Sequence, residues 1–383
     1  MLYRLVLSLS NVKWFTVLSL SVIATLLLSA CRPVAAPVPT PAAVATPTVK
    51  PNPTTAPSVA IKLQVKADQI TSKALEGNLL GDPATRKFYV LLPTDYETAT
   101  LRYPVVYVLP WGTSEAESNV WDFKKAYEEL LGSAEAREMI LVFPDGSNRL
   151  GASLFRSSPT IGDYETYLTQ ELVDYVDTNY RTLASRDSRG LAGCSNGGDA
   201  TMRLALKYPD VFSVAAPSGG LYDETMAKHG GLLKELEQLK KLPESALDVK
   251  SYMYPLAQWY FQTAGGSASN PDNPPLFLDP PFRMVDGKAE IVPEVSAKIV
   301  ENDTAHEAQR YAQQPLRLRG ILIQHALHDP WNPTELVQGF DQLLTELGVE
   351  HEYQEFDASH CAHPWEATSL KFMSEHLVFA EPP

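Results

Sequence analysis

The sequence predicts an α/β fold whose mostly parallel central sheet is covered by helices on both faces. Short apolar runs bounded by Pro, Gly or Asp alternate with longer runs of helical spacing from about Ile61 onward, as expected for strands buried on both sides and linked by crossover helices. A glycine-flanked serine, Gly193-Cys194-Ser195-Asn196-Gly197-Gly198, sits between one such strand and one such helix. The alternation breaks between Ser218 and Arg319 and then resumes. One large domain with an insertion therefore accounts for the chain better than two or three domains.

Taken in order, residues 87–92, 103–109 and 139–143 read as the first strands. Residues 164–180 follow as a helix with Leu168, Leu172, Val173 and Val176 on one side. Residues 189–192 form a strand leading into the Ser195 turn, and residues 200–208 form the helix after it. Three more strands are expected at 211–216, 320–324 and 352–356, with helices at 335–347 and 365–377. Within the interruption, a Leu-rich helix (232–242) precedes the aromatics Tyr252, Tyr254, Trp259, Tyr260 and Phe261, and then a loop rich in Pro, Asn and Gly. Long irregular stretches inside a domain are functional or disordered. The aromatic content argues against disorder, so residues 221–318 are expected to form a cap-like insertion over the site. No internal repeat is present.

With 32 Lys and Arg against 46 Asp and Glu, the net charge is −14, which argues against an electrostatic nucleic-acid surface. Arg4 and Lys13 precede an apolar run from Trp14 to Leu28, closed by Leu28-Ser29-Ala30-Cys31. This is the layout of a secretory signal, expected over residues 1–30, and its last four residues resemble the lipobox of bacterial lipoproteins. That resemblance implies lipidation of Cys31 and multi-chain membrane anchoring. Residues 31–60, mostly Pro, Ala, Thr and Val, read as an extended linker below a domain spanning 61–383. The expected location is extracytoplasmic. The remaining cysteines, Cys194 and Cys361, are then in a compartment that permits a disulfide.

Gly-x-Ser-x-Gly between a strand and a helix is the nucleophile elbow of α/β-hydrolases. Gly193 and Gly197 remove side chains that would collide with neighbouring backbone. The amide of Asn196 would face the developing oxyanion. A serine hydroxyl needs a base and an orienting acid, and the chain order in this fold is Ser, acid, His. Asp329 follows strand 320–324, and His360 follows strand 352–356. Asp341 and Asp357 compete as acid. His363 competes as base, but only His360 has a cysteine beside it.

From about Leu75 to the C-terminus the chain resembles the esterase D-like α/β-hydrolases, a group of S-formylglutathione hydrolases, feruloyl esterases, enterochelin esterases and mycolyltransferases. The likeness rests on Tyr103-Pro104-Val105-Val106-Tyr107-Val108-Leu109, on Asp163-Tyr164-Glu165-Thr166-Tyr167-Leu168, on the elbow, and on the late acid and histidine loops. It implies Ser195 as nucleophile, His360 as base and Asp329 as acid. Cys-Ser … Asp … His-Cys further resembles tannases and fungal-type feruloyl esterases, which implies a Cys194–Cys361 bond. One departure stands out: relatives carry Leu-His-Gly where this chain has Leu109-Pro110-Trp111-Gly112. Pro110 has no N–H, so the second oxyanion donor would be Trp111 or Gly112.

The expected activity is hydrolysis of a small-molecule or polysaccharide-linked carboxylic ester. Acyl transfer by the same chemistry is an alternative, as is a non-catalytic surface glycan binder, which the altered Pro110-Trp111 region favours. A metal site would draw on His325, His328, Asp329, His360 and His363. No His-x-x-x-His helix or Cys-x-x-Cys spacing accompanies them, so neither metal nor cofactor is expected.

Overall fold

In the computed structural model, residues 61–380 are described; the expected signal segment, Cys31 and the linker lie outside them. Eight strands form the main sheet: β1 (Gln64–Thr71), β2 (Thr85–Leu92), β3 (Val105–Leu109), β4 (Ile140–Pro144), β5 (Arg189–Cys194), β6 (Val214–Ser218), β7 (Gly320–Ala326) and β8 (Glu352–Phe356). Their order across the sheet is β1-β2-β4-β3-β5-β6-β7-β8. Only β2 runs against its neighbours; the pairs from β4 to β8 are parallel.

The central strands are apolar because both their faces are covered. Every residue of β3, β4 and β6 is buried. Val106 and Val108 join one core with Val120, Phe123 and Tyr127 of α1 (Val120–Gly132) and with Leu370 and Met373 of a C-terminal helix (Trp365–His376). Val105, Tyr107 and Leu109 point into a second core with Leu168, Leu172 and Val176, and with Ala200 and Leu204 of α2 (Asn196–Lys207). The helix expected at 164–180 runs over Tyr164–Thr166, passes through a π-helical stretch at Tyr167–Leu172 and continues to Asn179. Asp163 caps it, accepting from the Thr166 N–H at 3.0 Å. Glu165 then pairs with Arg203 and Lys207 of α2. Burial alone would raise its carboxyl, but those two cations hold it down at about 2.

Strand ends finish level on one edge. Leu109 is in register with Gly193, Cys194 with Ser218, and Ser218 with Gln324, so the loops after β3, β5, β6 and β7 converge there, as ligand-binding loops do in parallel sheets.

Three features depart from the sequence expectation. The strand expected at 211–216 lies at Val214–Ser218, because the N–H groups of Val211 and Phe212 turn back to Tyr208 O at the end of α2. Edge strand β1 is largely exposed and lacks the apolar run that would mark it. The expected irregular stretch is mostly helical: Gly230–Gln238, Ala246–Lys250, α3 (Pro255–Ser267), Pro293–Glu301 and α4 (Thr304–Ala312), with a hairpin of Phe282–Val285 and Lys288–Ile291. α3 is buried on almost every side, from Leu256 to Gly265, so it has no polar face and no amphipathic period to read. This segment is fastened beneath by Arg156, which pairs with Glu224 and lies 3.8 Å from Asp199 of α2. Thr304 donates to Asp199 at 3.1 Å.

Candidate active site

Ser195 follows β5 and precedes α2 with φ 58° and ψ −123°, a conformation that costs energy in a non-glycine residue and persists only where its surroundings enforce it. Backbone packing does the enforcing. A Cβ on Gly193 would stand 2.5 Å from Gly197 O, one on Gly197 2.2 Å from Leu109 O, and one on Gly198 2.1 Å from Ser218 O. No side chain fits at those approaches, and the Ser195 N–H donates to Ser218 O at 3.0 Å. The elbow is thus wedged between the ends of β3 and β6.

Asp329 lies in the turn after β7. Its side chain is fully buried, and Oδ2 lies 2.5 Å from Nδ1 of His360. Its Oδ1 accepts the N–H groups of Trp331 and Asn332 at 2.9 and 3.1 Å, an Asx-type turn that sets the carboxylate in one orientation. Nε2 of His360 is buried without a hydrogen-bond partner, and the ring packs edge-on to Trp331 with centroids 4.7 Å apart. Gly219, at φ 53°, lets the imidazole close in: its Cβ would be 3.3 Å from His360 Cε1. The competing acids are engaged elsewhere, Asp341 with His351 and Asp357 with His328.

Cys194 and Cys361 are joined by a disulfide, with Cα atoms 6.2 Å apart. It crosslinks the residue before Ser195 to the residue after His360. Beside it, Ser218 Oγ lies 3.4 Å from Cys194 Sγ and 3.0 Å from His363 Nε2. A bonded sulfur carries no proton, so in the first contact the hydroxyl donates. His363 stacks on Phe356, and burial, with smaller contributions from His325 and His360, holds its imidazole down at about 4. A buried neutral ring supports the loop rather than carrying a proton at neutral pH.

Ser195, Asn196, Trp111, Gly112 and His360 line one cavity of about 510 Å³. Asn196 Nδ2 donates to Gly112 O at 2.6 Å, tying the loop after β3 to the elbow. Pro255, Leu256, Gln258, Trp259 and Gln262 of α3 supply another wall. Four of the six tryptophans of the chain (Trp111, Trp259, Trp331, Trp365) face it. Sequence reasoning missed Gly219, Trp331, Asn332, Trp365, Asp122 and Glu366 at this site. The Asp329-Pro330-Trp331-Asn332 turn was the one local signal available for them.

His325 bonds Thr334 through Nε2 at 2.9 Å, and His328 pairs with Asp357. Among the described residues no group of three or more His, Cys, Asp or Glu is placed to hold a metal ion.

The profile of the Esterase family matches residues 83–377. Esterase Rv1288 of Mycobacterium tuberculosis is 32% identical over 136 residues, covering 34% of this chain and 28% of that protein. An endo-1,4-beta-xylanase/feruloyl esterase of Xylanibacter ruminicola is 30% identical over 127 residues, covering 32% of this chain and 17% of that protein. The chain thus spans less than a third of the length of either relative. Among solved structures, a ferulic acid esterase superposes with a TM-score of 0.56 at 18% identity, covering 82% of this chain and all of that one. An S-formylglutathione hydrolase from Agrobacterium tumefaciens gives 0.51 at 15% identity, covering 83% and 97%. At such identities the likeness shows the fold, which is that of the α/β-hydrolases.

Proposed function

Because the chain belongs to the esterase family, we propose that it is a serine carboxylic-ester hydrolase acting through Ser195, His360 and Asp329. Ser195 Oγ attacks the ester carbonyl while His360 Nε2 takes its proton. Asp329 keeps the other ring proton on Nδ1 and stabilises the imidazolium. The amide of Asn196, with that of Trp111 or Gly112, stabilises the oxyanion. His360 returns the proton to the departing alkoxide, leaving an acyl-Ser195 ester. Water, activated by the same ring, then releases the acid.

The observation that carries the reading is the His360 imidazole, oriented by a buried carboxylate at 2.5 Å, with Nε2 unpartnered in the cavity that Ser195 lines. Esters with a flat aromatic or sugar component suit the tryptophan-lined cavity, the aromatic class in line with the ferulic acid esterase among the structural neighbours. The protein is further read as exported and held to a membrane by a lipid on Cys31, with residues 32–60 as a spacer. Labelling by radioactive palmitate, lost in Cys31→Ala, with a labelled uncleaved precursor accumulating under globomycin, is the expected signature.

The activity is tested on a panel of short acyl, aryl and hydroxycinnamate esters, with and without an acceptor alcohol. Turnover that disappears in Ser195→Ala supports the reading. An acyl product on the alcohol in place of free acid identifies a transferase instead. Undiminished turnover in Ser195→Ala contradicts it.

A further inference from the structure

Asp122 and Glu366 both line the cavity beside Ser195, yet the ester chemistry uses neither. They come from the first turns of α1 and of the helix Trp365–His376. Those helices meet where Phe123 and Trp365, each next in sequence to one of the carboxylates, pack edge to face with centroids 5.1 Å apart. Among the described residues neither carboxylate forms an ion pair, and the cavity lining contains no lysine or arginine.

Acidic residues in a first turn ordinarily gain from the helix dipole. Glu366 does not settle into that ordinary state: burial, and then the charge of Asp122, pushes its carboxyl up to about 7. Two carboxylates that no cation of the lining balances, in a cleft beside a nucleophile, suit a recognition role. Trp111 and Trp331, the two exposed tryptophans of the same lining, offer indole rings that attract a cation. The chain's net charge of −14 favours the approach of cations over that of anions.

We propose that Asp122 and Glu366 form a charge-selecting wall of the substrate cavity, which takes esters whose non-reacting part bears an ammonium or similar cationic group and disfavours anionic ones. The inference rests on Ser195 being the nucleophile of this cavity.

The test compares kcat/KM within matched pairs. Acetylthiocholine against S-(3,3-dimethylbutyl) thioacetate places the charge in the leaving group. The 4-nitrophenyl esters of 4-(trimethylammonio)butanoic and 5,5-dimethylhexanoic acids place it in the acyl group. A cationic ester favoured roughly tenfold in at least one pair, with the ratio falling toward unity in Asp122→Asn, Glu366→Gln and the double variant, is the expected result. A ratio within twofold in both pairs, or one that survives the double variant, overturns the proposal. Labelling of Ser195 by a neutral fluorophosphonate, followed in every preparation, separates the two readings. If Ser195 is not labelled and no neutral ester is turned over, the esterase reading itself has failed.

Discussion

At the elbow the fastener is backbone against backbone: three glycines bring main chain to within distances that exclude a Cβ, and Ser195 is left with φ 58°. The loop carrying His360 is held differently. Beyond one main-chain bond, from the His328 N–H to Ala358 O at 2.9 Å, it is held through one carboxylate contact, one disulfide and the His363–Ser218 hydrogen bond. Cys361 itself sits at φ 51°, so the crosslinked residue also has a backbone conformation that its neighbours must maintain. Steric wedging tolerates no substitution, whereas links through side chains can be removed one at a time. The nucleophile should therefore be brittle and the base adjustable.

The sharpest break is Gly197→Ala, whose Cβ would lie 2.2 Å from Leu109 O. Overpacking against backbone with nothing free to move should cost more than about 4 kcal/mol or abolish folding, as read by urea melting. Asp329→Asn comes next. The amide can still accept from the Trp331 and Asn332 N–H groups, so the fold should persist while kcat falls roughly 10³- to 10⁴-fold through loss of the correct tautomer. Removing the crosslink in a Cys194→Ala, Cys361→Ala double variant should lower stability by about 2–5 kcal/mol. The same change should cost roughly ten- to hundredfold in kcat, since the base loses registry with the serine. Fluorophosphonate labelling should slow but remain on Ser195.

The smallest effect concerns stability against pH. The Glu366 carboxyl is held at about 7 in the folded chain against an ordinary 4.5, so between those values the folded state binds more proton than the unfolded one. Its contribution to stability is present below about pH 4.5 and is lost as pH rises through 7. Glu366→Gln should therefore gain on the wild type in melting experiments at pH 8 relative to pH 5. Solvent screening of a partly exposed group keeps the gain under about 1 kcal/mol.

What could be read from residue order alone follows the same division. The elbow was legible because backbone wedging demands glycines at set positions, and glycine spacing survives in one dimension. Strands β3 to β7 were legible because burial on both faces leaves continuous apolar runs; β6 was misplaced only where a turn borrows Val211 and Phe212. α1 buries Val120, Phe123, Tyr127 and Leu130 at helical spacing, a signal that was present but unread. The walls of the cavity were not legible. Trp331, Trp365 and Glu366 come from loops and helix starts that only the fold brings together, and α3 lacks any periodicity to announce it. Asn196 was read for its amide, while its side chain, bonded to Gly112 O, turned out to join the two loops of the expected oxyanion site.

The account stands most directly on one measurement: mass mapping of the folded domain after reaction with a fluorophosphonate, with disulfides left intact. A single adduct on Ser195, slowed at least a hundredfold in His360→Ala, together with a Cys194–Cys361 linked peptide, is the expected result. An adduct on another serine, or a Ser195 labelled equally fast without His360, would contradict the assignment of nucleophile and base.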